Sequence, residues 1–217
     1  VKVDEDVLQR TALLSKTDLV TGMVCEFTEL QGVMGREYAL LDGEEPEVAQ
    51  GIFEHYLPRF AGDELPTTDI GRLVGIADKL DNIAATFSRG LIPTGSQDPY
   101  ALRRQAIGII NILVDGNYHL PLLKTISAVL GLLNVPSAKN GELLAQLQEF
   151  FVQRVKNMMG DQGIRYDVID AILNEKANDD IVDLFVRAKA LAEYVETSEA
   201  AESIQAFTRV VNLCKKA

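Results

Sequence analysis

The sequence predicts an all-α chain, and three observations carry that prediction. Hydrophobic residues make up 47% of the 217 residues, but aromatics only 6%, and Trp is absent. A core drawn mostly from Leu, Ile, Val and Ala favours helices over a β-sandwich. Apolar positions recur at spacings of three and four along most of the chain. No stretch of useful length alternates apolar and polar residues. The length suits one large helical domain or two small ones.

Residues 4–34 read as helix, with Val7, Leu8, Ala12, Leu13, Leu19, Val20, Met23, Val24 and Phe27 on one stripe and a break near residues 15–18. Gly32 and Gly35 suggest a bend or a close helix contact, and Asp42–Gly43 is a turn. Pro46, with acids on either side, starts a helix that stops before Pro58. Residues 59–67 are loop. The stretch 65–104 follows, and it holds the densest signals of the chain. Its first helix buries Ile70, Leu73, Val74, Ala77, Leu80, Ala84 and Phe87. A turn-rich connector, 90–97, leads to Asp98 as cap and Pro99 at the first helical position. That helix runs to about Val114 and ends at Asp115–Gly116–Asn117. Further helices are predicted over residues 120–133, 141–158, 166–173, 179–195 and 198–216. Glycines near 157–163 mark a seam, so residues 1–157 are expected to form one domain and 158–217 the start of a second, smaller helical region. The chain opens on Val1 and closes on Ala217, both beside helical patterns, which predicts an internal piece of a longer protein.

Composition narrows the function classes. Net charge is −11, whereas a protein that grips nucleic acid through its overall field is basic. Contact with RNA would need a local cationic patch. Cys25 and Cys214 lie far apart with no metal-type spacing, which fits a reducing cytoplasm. No apolar run approaches about twenty residues, so no membrane span is predicted. His55 and His119 lack a second ligand at metal spacing and read as structural or capping groups. No phosphate-binding glycine loop and no Ser/His/Asp set is present. Asp78, Asp81 and Asn82 share one helix face, at i, i+3 and i+4. Spacing alone leaves two readings for them, a cation site or a solvated polar face, and favours the second.

Several segments resemble one family. KTDLVTGMVCEFTELQGVMGREYAL, EHYLPRFAGDELP, IADKLDNIAATF and IPTGSQDPYALRRQAIGIINIL are similar to the central region of the β subunit of bacterial two-subunit glycyl-tRNA synthetases. RYDVIDAILNE and FTRVVNLCKKA resemble the part that follows. The resemblance implies a non-catalytic, tRNA-binding and structural region that supports ATP-dependent attachment of glycine to tRNA(Gly). It implies an α subunit as partner in an α2β2 assembly, with ATP and Mg used through that α subunit and no cofactor in this chain. It also implies an HD-domain-like helical bundle followed by a smaller helical segment.

Phosphohydrolases of the HD class bind metal through His, a His–Asp pair and a later Asp. IADKLDN resembles the late helix, which would place that Asp at Asp78; LLSKTDL lies where the His–Asp pair would be, at Ser15–Lys16. No histidine precedes His55. Ser and Lys are poor replacements for imidazole and carboxylate, so the metal chemistry is expected to be lost and Asp78 to be degenerate. Arg36, Arg72, Lys79, Arg89, Arg103 and Arg104, in or near the family-like segments, are the tRNA-binding candidates. Asp78 would be a salt-bridge partner for one of them. Arg209, Lys215 and Lys216 would lead into a further RNA-binding region. Two rivals are a metal-dependent HD phosphohydrolase and a spacer at a subunit interface.

Overall fold

The computed structural model describes residues 2–174 and 179–214. Eleven α-helices follow in order among them: α1 (Glu5–Leu14), α2 (Gly22–Glu26), α3 (Val33–Leu41), α4 (Pro46–Glu54), α5 (Asp69–Ser88), α6 (Leu102–Gly116), α7 (Leu122–Leu132), α8 (Ser137–Asp161), α9 (Tyr166–Leu173), α10 (Ile181–Val195) and α11 (Ser198–Cys214). Short 3₁₀ turns, Thr17–Val20 and Thr28–Leu30, flank α2. The only β-pairing among the described residues is two isolated bridges, Thr94–Gln97 and Pro121–Asp180. The all-α prediction holds, and the physical reason is the one read from composition: helical stripes of aliphatic residues pack on one another. No helix among the described residues is long and apolar enough to cross a membrane.

The expected helix over residues 4–34 is instead α1, two 3₁₀ turns, α2 and the start of α3. Asp18 explains the break. Its buried carboxylate accepts the Gly32 N–H at 2.6 Å and the Tyr56 hydroxyl at 2.9 Å, both far off in sequence. A continuous helix could not bring Gly32 back to Asp18. Gly32 turns with φ +81°, and a Cβ there would lie 2.7 Å from the Tyr56 ring, so glycine is required twice over.

Helix α5 serves two cores. Its first half supplies Ile70 and Val74 to a small cluster with Val7, Ala39, Val48, Ala49 and Ile52. Its second half supplies Ile76, Leu80, Ile83, Ala84 and Phe87 to a large cluster with α6 to α10. That large cluster joins Phe151, Ile169 and Phe185, and α8 runs unbroken through position 157. The start of α5 is set by Thr68, whose hydroxyl accepts the Gly71 N–H at 3.0 Å. Glu54, at the end of α4, is buried and joins the two helices. It accepts from the backbone N–H and hydroxyl of both Thr67 and Thr68, and from the Gln50 amide. Burial pulls its pKa up, but these hydrogen bonds outweigh that and hold it below the usual carboxylate range. Gly71 lets α4 come this close: a Cβ would sit 2.5 Å from that of Glu54.

The start of α6 lies later than Pro99. It begins at Leu102, after Ala101 in the left-handed region at φ 52°. Asp98 still caps it from a distance, accepting Leu102 N–H at 2.8 Å and Arg103 N–H at 2.9 Å. Beyond the cores, α11 buries Ala200 but leaves Ile204, Phe207, Val210 and Val211 exposed.

Candidate nucleic-acid interface

Asp78 points from α5 into a cleft of about 280 Å³ bordered by the 3₁₀ turn before α2, the end of α4, α5 and the start of α6. It faces a lysine rather than an arginine: Lys16 Nζ lies 2.5 Å from its carboxylate. Asn82 reaches the other oxygen at 3.5 Å. Asp81 is exposed. The apolar stripe of α5 is also wider than the spacing predicts, because both cores use it. Ala77 is exposed, while Ile76, Lys79 and Ile83 are buried.

Lys79 is the largest departure from expectation. It is 5% exposed, and its ammonium donates to the carbonyls of His55 at 2.9 Å and Leu57 at 2.8 Å. Those carbonyls lie where α4 ends, just before the cis peptide Leu57–Pro58. The pKa of Lys79 is lowered to about 8, first by burial and in small part by Lys16, with Asp78 pulling the other way. The ammonium therefore closes the orphan carbonyls of a helix end. His55 beside it is fully buried. One ring nitrogen, Nδ1, donates to the Ile52 carbonyl at 2.6 Å, and Nε2 has no hydrogen-bond partner among the described residues. Burial lowers its pKa to about 4, although the Ile52 carbonyl and Asp78 pull the other way.

These side chains do not fit a divalent metal. Asp78 holds an ammonium, and no three His, Cys, Asp or Glu side chains converge among the described residues. His119 is remote from this cleft and pairs with Asp180 at 2.7 Å.

The six basic candidates separate into two groups. Arg36 pairs with Glu37 at 3.0 Å and lies over the Phe53 ring at 5.0 Å. Arg72 donates to the Pro66 carbonyl and pairs with Asp115 at 2.7 Å, which ties α5 to the end of α6. Lys79 is enclosed as described. Arg89, Arg103 and Arg104 have no acidic partner within ion-pair distance among the described residues; Arg89 and Arg104 are exposed and Arg103 half-buried. Arg104 lines the same cleft as Lys16 and Arg59. Arg59 is paired with Asp63 at 2.9 Å, an ion pair that, chiefly through its hydrogen bonds, holds Asp63 at a pKa of about 2. Arg209 is exposed on α11; Lys215 and Lys216 lie outside the described residues.

Sequence reading missed Arg59 and Arg154. Arg154 sits on α8 with its guanidinium carbon 3.8 Å from the centre of the Phe150 ring. The i, i+4 spacing of Phe150 and Arg154 was the available signal.

Comparison with known proteins agrees along the chain. A family model described as "Glycyl-tRNA synthetase beta subunit" matches residues 2–174. The curated "Glycine--tRNA ligase beta subunit" of Desulforamulus reducens is 51% identical over 213 residues, covering 97% of this chain and 30% of that protein. Those of Clostridioides difficile and Syntrophotalea carbinolica are 51% and 52% identical, over 96% and 97% of this chain. The chain spans about 30% of the length of these relatives.

Proposed function

The chain belongs to the glycyl-tRNA synthetase β-subunit family, and from that premise we propose that it is a non-catalytic region that touches tRNA(Gly) while an α subunit performs ATP-dependent glycylation in an α2β2 assembly in the cytoplasm. The helical bundle serves as an HD-like scaffold whose metal chemistry has been given up.

The observation that supports this reading best is the placement of Arg104. It is exposed, has no carboxylate partner among the described residues, and opens on a cleft whose other surface cations are Lys16 and Arg59. The chain as a whole carries −11, so a polyanion approaching it meets net repulsion at long range. At physiological salt charges act over about 8 Å, so a local cluster still holds a phosphate at short range. Guanidinium is the side chain best shaped for such contacts. Lys79 is absent from this reading, because its ammonium holds the end of α4.

The test is an intact synthetase carrying Arg103→Ala and Arg104→Ala. A charged hydrogen bond contributes roughly 1.5–3 kcal/mol, so the expected loss in kcat/KM for tRNA is tenfold or more, carried mainly by KM. Glycine-dependent ATP–pyrophosphate exchange should stay unchanged. Unchanged tRNA kinetics would overturn the reading and leave the spacer role, for which the exposed apolar face of α11 is the matching feature.

A further inference from the structure

A second opening, of about 310 Å³, lies between the connector that follows α5 and helix α8. That size falls at the lower end for small-molecule sites. Ile92 and Pro93 border it from the connector, and Gln146, Phe150 and Arg154 from α8. Arg154 is fixed there as a flat cation. Its guanidinium rests on the Phe150 ring, and Nη1 donates to the Phe150 carbonyl at 2.6 Å. Phe150 is held in turn by the Phe87 ring, edge-on at 5.0 Å.

Arg154 also has a cationic neighbour. Burial lowers its pKa first, the charge of Arg103 lowers it further, and Asp98 only partly offsets them. The carboxylate of Asp98 is already engaged with the N–H groups of Leu102 and Arg103. No carboxylate forms an ion pair with Arg103 or Arg154 among the described residues. The Arg154 guanidinium thus borders the groove as a cation with no ion-paired carboxylate among the described residues, and an anion entering the groove meets it directly. A phosphate alone would not use the rest of the opening. A flat ring would, because nucleobases stack on guanidinium planes and on apolar side chains, and the Gln146 and Glu149 side chains offer hydrogen bonds to a base edge.

We infer that this groove seats one nucleotide, its base against the Arg154 guanidinium and Pro93 and its phosphate at the charged edge of that guanidinium. The nucleotide has two sources with the same chemistry: an unpaired residue of a bound RNA, or a free nucleoside monophosphate. In its RNA form the inference rests on the reading proposed above. It adds a base-binding site to what would otherwise be contact with phosphates alone.

The experiment is photolabelling of the intact synthetase with 8-azidoadenosine 5′-monophosphate, with labelled peptides mapped on the β chain. Label is expected within residues 91–97 or 146–154. Excess AMP should block it, and equal inorganic phosphate should not. Arg154→Ala should lower this labelling about tenfold, the size expected for loss of one stacking partner. Arg154→Lys, which keeps the charge without the plate, should lower it too, and serves if the alanine variant fails to fold. Suppression of the label by tRNA assigns the seat to an unpaired RNA residue; persistence assigns it to a free nucleotide. Absence of label in both peptides, or equal competition by phosphate and AMP, would overturn the inference. If Arg103→Ala with Arg104→Ala weakens tRNA use while no label forms, the seat alone is wrong. If label forms while those substitutions leave tRNA kinetics intact, the RNA reading alone is wrong.

Discussion

Glu54 and Lys79 lie inside the molecule, and Arg103, Arg104 and Arg154 lie at or near its surface, yet the buried charges are the better partnered. Glu54 accepts five hydrogen bonds and Lys79 donates to two carbonyls. The three arginines have no acidic partner among the described residues. The difference follows from solvent. A buried charge without partners is strongly destabilising, so the fold supplies them, whereas a wet guanidinium can wait for an external anion. In this chain, then, the buried charges hold the scaffold, while these arginines have no acidic partner among the described residues and stay open to an external anion.

The strongest way to break that contrast is Glu54→Ala. It strips partners from two N–H groups and two hydroxyls at the start of α5. Groups that find no water there are each destabilising by roughly 1–3 kcal/mol, so a total loss of about 3–5 kcal/mol is expected. Arg104→Ala should stay within about 0.5 kcal/mol of the parent. Urea unfolding of the two variants under identical conditions measures both. A similar loss for both would erase the division between scaffold and binding charges.

A smaller effect should appear with pH, through His55. Its pKa is lowered from 6.5 to about 4, first by burial, so the unfolded chain binds a proton that the folded chain refuses. Stability from this group is therefore fully present above pH 6.5 and lost as pH falls toward 4. At about 1.4 kcal/mol per pH unit, the gap bounds the loss at about 3 kcal/mol. His55→Gln should flatten the difference in stability between pH 6.5 and 4. An unchanged acid limb would show that His55 is not held neutral.

Much of this was legible in one dimension. The start of α4 and its end before Pro58 follow from Pro46 and Pro58, which act locally on the backbone. The partner of Asp78 was not legible: the sequence offered one of the six basic candidates, and the structure supplies Lys16 instead. What stayed hidden depended on contacts remote in sequence. Asp18 breaks the first predicted helix by reaching Gly32 and Tyr56. Lys79 read as a surface cation because the stripe rule assumes one core, whereas α5 packs against two. Arg154 gains its meaning only beside the connector residues Ile92 and Pro93, and the chain runs through α6 and α7 before α8 brings it to them.

The smallest expected stability effect sharpens the comparison most. Lys16 and Asp78 are 43% and 22% exposed, so their pair contributes at most about 1 kcal/mol. Lys16→Met should barely move the unfolding midpoint. Its effect on RNA should be larger, for two reasons that a second substitution separates. The variant removes a cation from the cleft, and it also uncovers the Asp78 carboxylate toward an incoming phosphate. Lys16→Met with Asp78→Asn removes the cation and the repulsion together, so tRNA affinity in the intact synthetase should recover partway toward the parent. Filter-binding across a salt series reads this directly, since each lost phosphate contact lowers the salt slope by about one. A double variant no better than Lys16→Met alone would mean that Asp78 never faces the RNA, and that Lys16 serves only to neutralise it.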